Sequence, residues 1–223
     1  MITLNYISGF YSVVLLGSFN PLIFHPLWLL KKGLIPESDV VDKKIVINSQ
    51  VSQYPIGDWM QMTVTPERCE FKIQKPERIV VMKDLIMGTL NALPETPIIA
   101  MGINRGNIIN LGDADSYYKF GSKLAILNIW NDCLHDPRLR DIIIEDVENT
   151  GEGEEKVRRR IQIKSAEVKD QPFCIDVNLN NHYTAKLQDV AFAIKTLDAY
   201  LMSDMEKYDL ILNSITGKMN CDE

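Results

Sequence analysis

The chain has 223 residues, of which 46% are hydrophobic and 24% are charged, and its formal net charge is −6. A chain of this length and composition can bury a sizeable core, which excludes an intrinsically disordered protein. The acidic balance disfavours a general role on nucleic acid or on an anionic membrane, because both surfaces repel an acidic protein.

The first half of the chain predicts strands and helices in alternation. Residues 5–16 form a predicted strand, and residues 22–30 carry a short helical stripe that Gly33 ends. Apolar and polar side chains then alternate in three short runs, which predicts an antiparallel meander with one solvated face. These runs are residues 44–51, 58–65 and 67–74. A helix is predicted to follow over residues 77–93.

A buried strand is predicted at the middle of the chain, over residues 97–104, and it ends in Gly102-Ile103-Asn104. A similar ending, Gly17-Ser18-Phe19-Asn20, follows the first strand. Glycine and asparagine tolerate positive φ, so we interpret Gly-x-Asn as a turn that closes each strand.

The second half repeats this order of elements. A helix is predicted to start at Asp113-Ala114-Asp115-Ser116 and to end at Gly121. A final helix over residues 187–215 has an apolar stripe at helical spacing. The strands predicted between the two helices are residues 124–130, 139–149, 157–168 and 173–179, with a hairpin tip at residues 151–154.

Both halves therefore have the order strand, helix, several strands, helix. This order predicts an α+β fold in which antiparallel sheet carries helices on one side. It also favours two pseudo-repeated halves, residues 1–95 and 96–223, packed as one globular unit. The alternative is that helix and strand runs alternate by chance, as they do in many α+β proteins.

A membrane location is disfavoured by the most apolar part of the sequence itself. The region from Phe10 to Leu30 carries Asn20, His25 and Pro26. In lipid, the polar side chains and the backbone groups freed by the proline would lack hydrogen-bond partners. No basic segment precedes it as in a signal peptide. We therefore expect a cytoplasmic protein that does not bind membranes.

The cysteines indicate reduced thiols rather than a metal site. They are widely separated and form no close pair of the kind that binds zinc. They are Cys69, Cys133, Cys174 and Cys221. No glycine run matches a phosphate-binding loop and no serine lies in a nucleophile elbow, so we expect no cofactor, no metal and no catalytic residue.

Two groups of polar residues are candidate binding positions. His135 and Asp136, with nearby carboxylates, could form a small polar or metal-binding cluster, although aspartates are also common in loops for turn geometry. Strand alternation places Arg158 and Arg160 on one face and Arg159 on the other, where the first two could bind phosphate. The alternative is charge pairing with the acidic residues on both sides of the predicted hairpin.

The final helix offers a third candidate surface. Tyr200, Met202 and Met205 could support self-association, because methionines adapt to varied surfaces; the alternative is that they pack in the core. The missing catalytic motifs favour a non-enzymatic binding or assembly module, either a homo-oligomer or a subunit of a small complex. The alternative is an enzyme acting on a small or phosphorylated substrate through His135, Asp136 and the arginines near Arg158.

Several motifs together resemble an uncharacterised, sporadically distributed family of bacterial proteins of similar length. The carriers are Gly17–Pro21, Pro26–Leu29, Trp59, Pro97–Asn104, Phe120-Gly121 and Val177–His182. The resemblance implies a bacterial setting. It implies no activity, because these residues are turn and core positions.

Overall fold

The structure is a computed structural model that describes residues 4–41, 44–149, 156–185 and 189–220. It contains a nine-stranded antiparallel sheet and four α-helices. The strands are β1 (Asn5–Gly17), β2 (Val46–Ile47), β3 (Ser52–Ile56), β4 (Met60–Thr65), β5 (Arg68–Ile73), β6 (Ile98–Asn110), β7 (Asp141–Asn149), β8 (Lys156–Val168) and β9 (Gln171–Thr184). The helices are α1 (Pro26–Lys31), α2 (Ile79–Ala92), α3 (Ala114–Leu124) and α4 (Val190–Asn220).

The sheet has a symmetric strand order around its central pair, β1 and β6. The order is β2-β3-β4-β5-β1-β6-β9-β8-β7, so β3-β4-β5-β1 on one side matches β7-β8-β9-β6 on the other. Val13 pairs with Ile103 where the two halves meet. The α+β class is therefore confirmed, and the element order of the two halves recurs in space within one continuous sheet.

The helices cover one face of this sheet, and the main core lies between the helices and that face. Strand alternation points Tyr54, Met62 and Phe71 to this face, where each is fully buried. Met82 of α2 and Leu197 of α4 belong to the same core and are also fully buried. Burying one such side chain stabilises the fold by roughly 1.5–3 kcal/mol, which explains why the apolar stripes predict these elements well.

The predicted strand over residues 124–130 is wrong. The helix α3 continues through Gly121 to Leu124, and a 3₁₀ turn follows over Leu127–Trp130. Apolar alternation alone does not make a strand, since a strand also needs a neighbour to pair with. The predicted strand over residues 44–51 shrinks to β2, because Asn48 accepts hydrogen bonds from the Gln50 and Val51 amides and closes a turn.

The Gly-x-Asn interpretation is also wrong at Gly102. This residue lies inside β6, where it pairs with Val14 on one side and His182 on the other. It is not among the glycines with positive φ, which in the described residues are Gly33, Gly57 and Gly112. A Cβ at Gly102 would lie 3.3 Å from Nδ2 of Asn180, which is a tight contact, so the Asn180 amide packs closely over Gly102 on the face away from the helices.

The remaining expectations have mixed outcomes. The strand predicted over residues 173–179 is longer than expected, since β9 continues to Thr184 and includes His182. The hairpin tip at residues 151–154 and Cys221 lie outside the described residues. Among the described helices, none has the length and apolarity needed to cross a membrane.

Candidate functional site

The strand β7 forms one edge of the sheet. It is nine residues long and pairs only with β8, whereas the opposite edge, β2, has two residues. The outer backbone N–H and C=O groups of a long edge strand remain available for pairing with another strand. In the described part of the chain, β8 is the only strand that pairs with β7.

Three apolar side chains of β7 are at least half exposed. Ile143, Ile144 and Val147 are 50%, 50% and 59% exposed. Natural edge strands usually avoid such side chains or protect them, because they promote association with other chains. We call β7 with these side chains the β7 edge.

The acidic residues of β7 are held by β8. Glu145 accepts a 2.9 Å hydrogen bond from Nε of Arg160, and this contact holds the pKa of Glu145 below its usual value. Glu148 likewise accepts a hydrogen bond from the Arg159 guanidinium, which lowers the pKa of Glu148. These contacts confirm the predicted charge pairing across the hairpin and reduce the negative charge that would otherwise repel a partner strand.

The segment that leads into β7 is also apolar and exposed. Ile126, Ile129, Trp130 and Leu134 are 72%, 66%, 50% and 53% exposed. They lie in or beside the 3₁₀ turn after α3, so they extend the apolar surface N-terminal to β7. Sequence reasoning missed both features because it assigned residues 124–130 to a strand inside the sheet.

His135 and Asp136 border a cavity of about 430 Å³ between α3, the loop before β7, and strands β8 and β9. Asp136 accepts a 2.8 Å hydrogen bond from Nε of Arg138, and this bond lowers the pKa of Asp136. The Arg138 guanidinium in turn lies 4.7 Å from the centre of the Tyr118 ring. The aspartate is therefore engaged by a neighbouring arginine rather than free to act on a substrate.

The structure does not bring Arg158 and Arg160 to this cavity. The β8 residues that line it are Ile163, Lys164 and Ser165. Arg158 lies six positions before Lys164, which corresponds to roughly 20 Å along a strand. The predicted combination of His135, Asp136 and Arg158 in one site is not assembled.

The arginine alternation is confirmed. Arg159 is 8% exposed on the helix-covered face, whereas Arg158 and Arg160 project from the open face. Arg160 pairs with Glu145, and Arg158 forms no hydrogen bond or salt bridge with any residue in the described ranges. Next to Arg158 across the sheet is His182, whose pKa is lowered by burial and then by the two arginines.

The three predicted interface residues of α4 do not share a surface. Met205 is 4% exposed and packs in the main core. The Tyr200 ring stacks on Tyr183 with 5.1 Å between ring centres, while Met202 is 48% exposed. Only Met202 is well placed for a partner.

A buried carboxylate on α4 escaped the sequence analysis. Asp204 is 3% exposed and accepts a 2.7 Å hydrogen bond from the Tyr183 hydroxyl. Burial raises its pKa to about 6. The available signal was its position within the apolar stripe, between Leu201 and Tyr208, where a charged residue is unexpected.

The described residues contain no group of three or more His, Cys, Asp and Glu side chains that could hold a metal ion. A comparison with protein-family models finds no match, and a search of curated proteins finds no relative.

Proposed function

We propose that this protein is a non-enzymatic assembly module that associates with a second copy of itself by pairing β7 edges. The observation that carries the proposal is a nine-residue edge strand with exposed Ile143, Ile144 and Val147. Pairing two such strands would satisfy their outer backbone groups and bury these side chains.

The sequence of β7 supports a second copy as the partner. Two copies related by a two-fold axis perpendicular to the sheet place one residue opposite itself. Centring the axis on Glu145 or Asp146 opposes two carboxylates, which is unfavourable. Centring it on Ile144 opposes Ile144 with itself and Ile143 with Glu145.

The same register gives compatible pairs further from the axis. Asp141 would face Val147 and Arg140 would face Glu148, so no carboxylate opposes a carboxylate. The β7 edge is thus self-complementary in the register centred on Ile144.

The experiment is sedimentation velocity on the full chain with a charged substitution at the proposed axis. Ile144→Lys places two ammonium groups face to face, and we expect it to weaken the dimer by about 100-fold or more. Leu210→Lys is the matched control, because Leu210 is an exposed apolar residue, 68% exposed, that belongs to α4 and not to β7.

A monomeric wild-type protein at all concentrations would contradict the proposal. A dimer that survives Ile144→Lys but dissociates in Met202→Ser would move the interface to α4. The buried, unpaired thiols of Cys69 and Cys174 support the further proposal that the assembly forms in the reducing cytoplasm.

The second candidate function is an enzyme or receptor for a small ligand, which the cavity beside His135 and Asp136 favours. Ligand addition should then raise the melting temperature, and His135→Ala should remove this shift. Equal shifts in the wild-type protein and the variant would exclude this cavity as the site.

A further inference from the structure

A groove crosses the centre of the open face, on the opposite side of the sheet from the helices. It has a volume of about 290 Å³ and lies between β5 and β9 over the central strands β1 and β6. Its floor includes Ser12, Val14 and Gly102, of which Ser12 is 1% and Val14 is 6% exposed. These values are low for a face that no described helix covers, so the surrounding side chains enclose the floor.

Gly102 lies in the floor of this groove, beneath the Asn180 and Asn104 amides. Its cross-strand neighbours are Val14 and His182, so a side chain at position 102 would project between them. The backbone of Gly102 does not require glycine, because its φ is not positive. A larger side chain at this position would instead displace the Asn180 and Asn104 amides, because a Cβ would already lie 3.3 Å and 3.6 Å from their Nδ2 atoms.

The groove contains a chain of side-chain amides. Asn180 donates a hydrogen bond to Asn104, and Nδ2 of Asn104 donates to the Ser12 hydroxyl at 3.2 Å. Asn178 lines the same wall. Amides that both donate and accept are suited to hydroxyl groups, which also do both.

Positive charge lies on both sides of the amides. Lys72 of β5 lines the groove, and Arg158 of β8 lies at its rim, opposite His182 of β9. Neither forms a salt bridge with a described residue, although Arg158 contributes to the lowered pKa of Glu145. Arg68 and Arg160 are already paired with Glu70 and Glu145. Because the Arg158 guanidinium donates no hydrogen bond to a described residue, it is available for a phosphate group, which it can bind through two hydrogen bonds.

Among the described residues that line the groove, a single aromatic ring could stack on a nucleobase. This ring, Phe10, is covered by Lys72, whose Nζ lies 4.4 Å from the ring centre. The amides instead favour a ligand with several hydroxyl groups.

We propose that this groove binds a small phosphorylated polyol, of the sugar phosphate class. His182, together with Arg158 beside it at the rim of the groove, holds the phosphate group, and Asn104, Asn178 and Asn180 bind the hydroxyl groups. The residues that line the groove belong to β1, β5, β6 and β9 and are separate from the β7 edge, whereas Arg158 at the rim lies opposite Val147 of β7.

Isothermal titration calorimetry on the full chain tests this site with glycerol phosphate, ribose phosphate and glucose phosphate. Inorganic phosphate and free ribose are the partial ligands. We expect at least one of the three phosphorylated polyols to bind more tightly than either partial ligand. Arg158→Gln should weaken this binding by about tenfold or more, and Gly102→Val should block it by filling the floor.

Lys164→Gln is the matched control, because Lys164 is another open-face cation of β8 but lies opposite Asp176, which does not line the groove, whereas Arg158 lies opposite the lining residue His182. Binding in this variant should equal that of the wild-type protein. The proposal is overturned if none of the three compounds binds or if inorganic phosphate binds as tightly as they do. It is also overturned if Arg158→Gln leaves the affinity unchanged, and this exposed substitution keeps the test valid should Gly102→Val fail to fold.

Discussion

Asp204 makes the stability of this protein depend on pH in a defined direction. Its pKa is about 6 in the folded chain, against 3.8 for an unperturbed aspartate. The folded state therefore binds the proton more tightly than the unfolded state. The resulting stabilisation is fully present below about pH 3.8 and is lost as the pH rises through about 6.

The size of this effect follows from the two pKa values. The full difference corresponds to about 3 kcal/mol, and about 1.4 kcal/mol of it is lost between about pH 5 and pH 7.5. The exposed carboxylates with lowered pKa values, such as Glu145, have completed most of their titration below this window. His182 opposes the trend there, because its lowered pKa favours folding as the pH rises.

Asp204→Asn isolates the contribution of this carboxyl. The variant keeps an acceptor for the Tyr183 hydroxyl but cannot ionise. His182 lies on the opposite face of the sheet, so its contribution should be the same in both proteins and cancel in the comparison. The unfolding free energy from urea titrations should show that Asp204→Asn gains about 1.4 kcal/mol relative to wild type between about pH 5 and pH 7.5.

The matched control is Asp198→Asn, which removes an exposed carboxylate of the same helix that pairs with Lys83 at 2.7 Å. This variant should show a much smaller relative change over the same window. A difference between wild type and Asp204→Asn that does not vary with pH, or that has the opposite sign, would refute the assignment of a raised pKa to Asp204.

Two further substitutions test the packing of the fold by urea denaturation. Gly17→Ala should destabilise the protein by about 2 kcal/mol, because the new methyl group would collide with the Pro97 carbonyl. This carbonyl is held in place by a 3.0 Å hydrogen bond that it accepts from the Ser18 amide. An unchanged midpoint of urea denaturation would contradict the close approach of the two segments. Leu197→Ala should lower the free energy of unfolding by about 3 kcal/mol, because Leu197 is fully buried. Leu210→Ala on the same helix should lower it by less than about 1 kcal/mol, because Leu210 is exposed. Equal losses in the two variants would contradict the orientation of α4.

The sequence predicted those parts of the fold in which one periodicity dominates. The alternation in β4 and β5 and the long stripe of α4 reflect burial on one side, and burial is the largest favourable contribution to folding. The apolar residues at 124–130 were predicted wrongly as a strand. In the described part of the structure no neighbouring strand buries them, and the sequence does not reveal this lack of a partner. Only the three-dimensional structure shows that the apolar residues of this segment are exposed together.

The candidate sites depended even more on long-range pairing. Gly102 and His182 are 80 positions apart in the chain, and only the register of β6 against β9 places them side by side. In the sequence, Gly102 has the pattern of a turn glycine and His182 lies among polar residues typical of a loop. The alternation of Arg158 and Arg160 was predictable because it depends on one strand alone.

Hydrogen–deuterium exchange of β7 at increasing protein concentration tests the proposed assembly most directly. In a dimer paired through β7 edges, the outer backbone amides of residues 141–149 become hydrogen-bonded, so their exchange should slow as concentration rises. Ile144→Lys should abolish this protection, and Leu210→Lys should retain it. Exchange of these amides that stays equally fast at every concentration would contradict the account.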